Sequence, residues 1–246
     1  MNTSCLDIDD QRLAKFSVKF DLPHRNLQFL GRTKELLWLS DIVRDIDTDQ
    51  CKVVVLYGLG GMGKTDIVAH YAWQSHATYT PMLWIDAATV EALNHSFMKA
   101  IWNIIQHLAA NYSPERPDYA GIADGLGIAG LVDPLGQMVS NPGSDNQDRI
   151  MEALFNWLTM EGNDKWLLVF DNADDMNVID RVKHFPQISS GTIIITSQKW
   201  ESAHWGTGFQ IEGMDQDDAL SLLMTKTHLD WKWLSTAGNG EQLVSI

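Results

Sequence analysis

The sequence predicts an α/β protein, a doubly wound parallel sheet of five strands flanked by helices. Three observations predict it. Short apolar, β-branched runs alternate with longer segments of helical period, the pattern of strand–helix crossover units. The first run, KVVVLY at residues 52–57, breaks directly into a glycine-rich turn and then a helix. Another, WLLVF at 166–170, delivers a carboxylate, Asp171, at its end. In such sheets ligands bind outside the carboxyl ends of the strands, where the glycine-rich turn lies.

Taken in order, residues 1–22 carry mixed charge without a firm period and read as a tail or linker. Pro23 biases Leu22 away from helix, so an extended segment follows. FLGR at 29–32 leads to Thr33, a helix cap for an apolar face of Leu36, Leu37, Leu39, Val43 and Ile46. By its residues alone this is a loop entering an amphipathic helix.

The turn at 58–65, GLGGMGKT, fits the phosphate-binding pattern G-x-x-x-x-G-K-[ST] at every fixed position. Gly58, Gly60, Gly61 and Gly63 let the backbone bend until consecutive N–H groups point at phosphate oxygens. Met62 and Asp66 complete the contacting stretch. Ile67, Val68, Tyr71 and Ala72 recur at helical spacing, so a helix starting near Gly63 adds its N-terminal partial charge. Lys64 can reach the β- and γ-phosphates, and the Thr65 hydroxyl is the expected Mg2+ ligand. A ligand-free turn between strand and helix is the bland alternative. The strand before it, the helix after it and two additional glycines weigh against that.

Residues 81–87, PMLWIDA, form a second strand, followed by a helical stripe of Val90, Leu93, Phe97, Ile101, Ile104, Ile105 and Leu108. Met98 and Trp102 widen the stripe as core residues. The stretch 113–146 is rich in glycine and proline, yet carries Ile122, Leu126, Ile128, Leu131, Val132, Leu135 and Met138. It reads as an insertion in which a short helix lies on a neighbouring surface. Helical spacing resumes through Ile150, Leu154, Trp157 and Leu158 and ends at Gly162.

The third strand, 166–171, supplies Asp171 as the carboxylate that shares Mg2+ with Thr65, because magnesium keeps most of its waters and needs few protein oxygens. Asp174 and Asp175 follow. Asp174 is the candidate for polarising an attacking water, and the alternative is that both acids cap the next helix. The candidate catalytic residues are therefore Lys64, Asp171 and Asp174. A fourth strand at 191–196 closes on Thr196, Ser197 and Gln198, where a polar side chain can sense the γ-phosphate. A weak fifth spans 208–212, and Asp215 can cap a last helix through Ala219, Leu220, Leu223 and Met224, with Trp231, Trp233 and a turn at 238–240 beyond. No arginine follows Arg181, so no cationic clamp arises from this part of the chain. An arginine supplied in trans accelerates phosphoryl transfer by orders of magnitude, so slow turnover is expected of this chain alone.

Composition narrows the classes. The 246 residues, 45% hydrophobic, suffice for one α/β domain with extensions. A net charge of −14 with 18 basic residues argues against a nucleic-acid partner. Cys5 and Cys51 read as reduced thiols. No signal-peptide pattern and no long apolar window occur, so a cytoplasmic protein without a membrane partner is expected. His70 and His76 are not at ligand spacing, and no metal site beyond magnesium is expected.

With these residues in place the chain resembles the NB-ARC nucleotide-binding domains of STAND-class P-loop NTPases, above all those of NLR-like proteins from filamentous fungi. The matching stations are FLGR at 29–32, GLGGMGKT at 58–65, KWLLVFDNADD at 165–175 and GTIIITSQ at 191–198. The resemblance implies a sheet order of 2-3-4-1-5 and ADP or ATP with Mg2+ as cofactors. It implies that Phe29, Leu30 and Arg32 line the adenine pocket. It also implies a signalling switch, as in innate immunity, that rests with ADP and exchanges to ATP. Homo-oligomerisation through this domain and protein signalling partners come with it. Gln198 stands where that family usually has arginine, which puts hydrolysis in question. On this reading residues 23–214 are the nucleotide-binding domain and 215–246 begin a truncated helical subdomain. Two other readings stay open: a small-molecule kinase or other catalytic phosphate-loop enzyme, and a remnant that no longer binds nucleotide.

Overall fold

A computed structural model describes residues 19–20, 22–44, 51–112, 115–140, 142–160, 163, 165–180, 185 and 190–227. Cys5, Ile46, Gly162, Arg181, Trp231, Trp233 and the turn at 238–240 lie outside the described residues. In chain order the elements are β1 (Lys19–Phe20), α1 (Thr33–Arg44), β2 (Lys52–Tyr57), α2 (Lys64–Gln74), β3 (Met82–Asp86), α3 (Val90–Tyr112), α4 (Tyr119–Gly125) and α5 (Ser144–Leu158). They continue with β4 (Leu167–Asp171), α6 (Met176–Asp180), β5 (Thr192–Ser197), a 3-10 segment (Trp200–Trp205), β6 (Thr207–Gln210) and α7 (Gln216–Thr227).

The strands form one sheet of order β1-β3-β4-β5-β2-β6, and every pairing is parallel. The five expected strands take the expected order 2-3-4-1-5, a doubly wound parallel arrangement. A two-residue strand, β1, extends the edge beside β3, with Lys19 opposite Met82. It falls in the stretch 1–22 expected to be a tail or linker. Two ladder residues carry too little periodicity to be visible in sequence.

Successive strand residues feed opposite cores, as the pleat requires. Val55, Leu83, Ile85, Leu168, Phe170, Ile193 and Ile195 pack under α3, α5 and the insertion. Their neighbours Val54, Leu56, Met82, Trp84, Leu167, Val169 and Ile194 pack against α1 and α2 on the other face. Runs buried on both sides explain why these strands are continuous in apolar residues rather than alternating.

Local differences have physical reasons. Thr33 is the first residue of α1 rather than its cap, since the Leu36 N–H already donates to the Arg32 carbonyl at 3.0 Å. Leu37, expected on the buried face, is 58% exposed, and Leu39 carries the contact instead. Gly191 enters β5 with φ of 82°, and a Cβ there would lie 2.1 Å from the Trp166 ring, so the position admits only glycine.

The glycine- and proline-rich insertion is part of the core. Asp118 caps α4 through the Gly121 N–H, and Ile122, Ala123, Leu126, Ile128, Leu131 and Val132 are buried against α3 and α5. Asp133 accepts from the Leu135 and Gln137 N–H groups and closes the following turn. The Trp102 indole N–H donates to the Gly136 carbonyl at 2.9 Å, which ties that turn to α3. Ile128, fully buried, is its sharpest probe. Ile128→Ala should destabilise the protein by about 2–5 kcal/mol in urea denaturation, whereas a change under about 0.5 kcal/mol would mark the segment as a surface loop.

Candidate functional site

The sheet order sets the ends of β4, β5 and β2 side by side. β2 ends at Tyr57 opposite Ser197 of β5, and β4 runs in register with β5 up to Phe170 opposite Ile195. The next residues along, Asp171 and Thr196, therefore meet beside the glycine loop.

The loop owes its shape to its glycines. Gly58 has φ of 152°, and a Cβ there would lie 2.4 Å from the Ile211 carbonyl oxygen, so the backbone of the segment after β6 is admitted only because the side chain is missing. Gly61 and Gly63 have φ of 78° and 83°, with no atom within 4 Å of where a Cβ would point. These left-handed positions turn the loop around open space, and the Ile67 N–H to Gly63 carbonyl bond at 2.9 Å starts α2.

A cleft of about 240 Å³ opens there, with Gly60, Gly61, Gly63, Lys64, Thr65 and Asp66 on one side. Asn172, Asp174, Thr196, Ser197 and Gln198 form the facing wall. The Lys64 ammonium folds along the loop, donating to the Gly58 and Leu59 carbonyls, each at 2.8 Å. Burial pushes the Lys64 pKa down, and the carboxylates of Asp174 and Asp171 oppose that shift.

Thr65 Oγ1 donates to Asp171 Oδ1 at 2.9 Å, and Thr196 Oγ1 donates to the same oxygen at 2.5 Å. Asp171 is 5% exposed, and burial pushes its carboxyl pKa up while the Thr196 and Thr65 hydroxyls pull it back. Among the described residues no cluster of three His, Cys, Asp or Glu side chains occurs. The Thr65–Asp171 pair is the metal-compatible chemistry of the site, and its oxygen-only character suits Mg2+.

Asp174 and Asp175 part company. Asp175 accepts from the Asn177 N–H at 2.9 Å at the start of α6, the capping role. Asp174 crosses to β5 instead, accepting from the Gln198 backbone N–H at 2.6 Å, the Gln198 Nε2 at 2.8 Å and the Ser197 hydroxyl at 3.3 Å.

Phe29, Leu30 and Arg32 stand outside the cleft. The Phe29 ring stacks on His70 of α2 at 4.1 Å between centroids, and Leu30 is half-buried. Arg32, 7% exposed and with φ of 60°, donates from Nη2 to the Met62 carbonyl at 2.8 Å. Its Nη1 donates to the Glu212 carbonyl and to Glu35 Oε1, both at 2.8 Å. The guanidinium thus ties the glycine loop to the segment after β6 and to α1. Arg32 also lines a second, wider cleft of about 650 Å³ with Glu35, Phe209 and Asp218. Asn172, whose φ is 62°, is a residue that sequence reasoning missed. Its left-handed turn redirects the chain directly after Asp171, and Asn is among the residues that tolerate it.

No protein-family model matches the sequence. A protein from Hyaloscypha variabilis described as a nucleotide-binding leucine-rich repeat (NLR)-like protein is 22% identical over 234 residues. The chain resembles an NLR-like protein. The match takes in 87% of this chain but 20% of the relative, so the chain spans about a fifth of that protein's length. Among solved structures, Cdc6p from Pyrobaculum aerophilum gives a TM-score of 0.49 at 14% identity, covering 88% of this chain and 52% of that one. A STAND protein with a tetratricopeptide repeat sensor from Pyrococcus horikoshii gives 0.43 at 19% identity, covering 82% and 26%.

The raised pKa of Asp171 makes a signed prediction. Between the ordinary carboxylate value of 3.8 and the raised folded value the folded state binds more protons than the unfolded one, so stability falls as pH rises through that window. Asp171→Asn removes the buried charge while keeping an acceptor oxygen. It should raise the thermal midpoint of the nucleotide-free protein at pH 7, with the gain shrinking toward pH 4. An unchanged difference across that range would contradict the assignment.

Proposed function

We propose that this chain is a regulatory switch domain of NLR-like type that binds ADP or ATP with Mg2+ and hydrolyses ATP slowly or not at all. The observation that carries the reading is the Thr65–Asp171 contact at 2.9 Å beside a loop whose Gly61 and Gly63 turn around open space. On this reading the amides of residues 58–65 hold the diphosphate, and Lys64 exchanges loop carbonyls for phosphate oxygens. Thr65 and Asp171 hold the Mg2+, which would neutralise phosphate charge. Both carboxylate oxygens of Asp174 are engaged by the Gln198 backbone and side-chain N–H groups rather than turned to orient an attacking water, which supports slow turnover.

The adenine preference, with Phe29, Leu30 and Arg32 at the base, is part of the proposal, and so are the ADP-to-ATP exchange, homo-oligomerisation and signalling partners. No described helix is long and apolar enough to cross a membrane. We place the protein in the cytoplasm, with residues 23–214 as the nucleotide-binding unit and 215–246 as a separate segment.

Titration of labelled ADP and ATP with Mg2+, wild type against Lys64→Ala, with phosphate release followed in parallel, tests this. Saturable ADP binding weakened about tenfold or more by Lys64→Ala, with negligible phosphate release, is expected. Phosphoryl transfer to a small acceptor would instead show a kinase, and the lack of saturable binding a remnant.

A further inference from the structure

Arg32 is buried in a left-handed backbone conformation, φ of 60°, which a residue with a side chain keeps only where its surroundings hold it. Its N–H is held by Asp218, and its Nη1 by Glu35 and the Glu212 carbonyl. From that fixed base Nη2 reaches the Met62 carbonyl in the glycine loop at 2.8 Å. Arg32 borders the wider cleft, yet both terminal nitrogens of its side chain are occupied by protein acceptors. Neither Arg32 nor Met62 lines the narrower cleft, whereas Gly61 and Gly63, on either side of Met62, do. The Met62 side chain packs instead on the core beneath α1 and α2.

A trans peptide points its carbonyl and the following N–H in opposite directions. The Met62 carbonyl is drawn toward Arg32, away from the narrower cleft, so the Gly63 N–H is turned into it. Between two left-handed glycines, Gly61 and Gly63, that peptide plane meets little steric resistance to rotation, and its direction needs an external hold. Resting on the nucleotide-binding reading above, we propose that Arg32 is a positioning residue for phosphate. By holding the Met62 carbonyl it aims the Gly63 N–H at a phosphate oxygen of the ligand. A cation on the carbonyl oxygen also polarises the peptide, which strengthens its N–H as a donor to an anion. The effect reaches the diphosphate through the backbone and is independent of which base the ligand carries.

The test titrates the full chain with ADP and with inorganic pyrophosphate, each with Mg2+, by calorimetry. Arg32→Gly removes the guanidinium and suits the left-handed backbone, while Ile128→Ala, in the other core, controls for lost stability. The sequence holds a single Met–Gly dipeptide, so carbonyl-13C methionine with 15N glycine isolates the Gly63 amide resonance. Arg32→Gly should weaken pyrophosphate and ADP in parallel, each about tenfold, and Ile128→Ala should weaken neither. Pyrophosphate should move the Gly63 amide downfield in wild type, as donation to an anion does, and by less than about half as much in Arg32→Gly. Pyrophosphate affinity within about twofold of wild type, an undiminished Gly63 shift, or equal weakening in Ile128→Ala overturns the role while Lys64-dependent binding leaves the nucleotide reading intact. Should Arg32→Gly fail to fold, Arg32→Lys, which keeps the charge without the fork, decides by the same two readings. If wild type binds neither probe in a Lys64-dependent way, the nucleotide reading fails and the positioning role fails with it.

Discussion

Asp171 holds a carboxylate among the ends of three strands, where it is only 5% exposed. Burying a charge is costly unless hydrogen bonds replace the lost water. Here Thr65 and Thr196 both donate to one of its oxygens and pull its pKa down, while burial pushes it up. Thr196 does more than donate, because its Oγ1 accepts the Asn172 N–H at 3.0 Å. That single hydroxyl stabilises both the carboxylate and the left-handed turn behind it. Through Asp171 the start of α2, the end of β4 and the end of β5 become one polar unit.

The apolar layers below keep that unit in place. Ladder pairs from Lys52–Thr192 to Tyr57–Ser197 fix β2 against β5, so the loop leaves the sheet at a defined height beside Thr196. The Gly58 N–H continues the ladder to the Ser197 carbonyl at 3.1 Å before the chain turns away. The insertion contributes on the opposite flank, where its buried aliphatics extend the core formed by α3 and α5. Its glycines serve turns between packed residues, which is why a composition suggestive of a loop accompanies a folded segment.

Arg32 connects the regions that the cleft does not. One guanidinium spans the Met62 carbonyl in the glycine loop, the Glu212 carbonyl after β6, and Glu35 in α1. Its own N–H donates to Asp218 of α7 at 3.2 Å, and a Cβ on Gly31 would clash with that carboxylate. The planar fork of arginine suits several fixed acceptors at once, which a lysine ammonium would not match. The segment before α1, the glycine loop and α7 are thereby mechanically joined.

Five of the strands, their sheet class and the glycine loop were legible in the sequence because each is written locally. Short apolar runs, the helical periods that follow several of them, and fixed glycines around Lys64 and Thr65 carry their own physical reasons. The order 2-3-4-1-5 came from the resemblance, and it places Asp171 against Thr65 across 106 positions of chain. The partnership of Asp174 with Gln198, the brace from Arg32 to Met62 and the two-residue β1 were not legible. Each depends on which backbone ends the fold brings together, and side-chain type cannot encode a neighbour that only parallel strand packing supplies. Residue identity thus determined what chemistry this chain carries, and tertiary structure alone decided which oxygens and donors face one another.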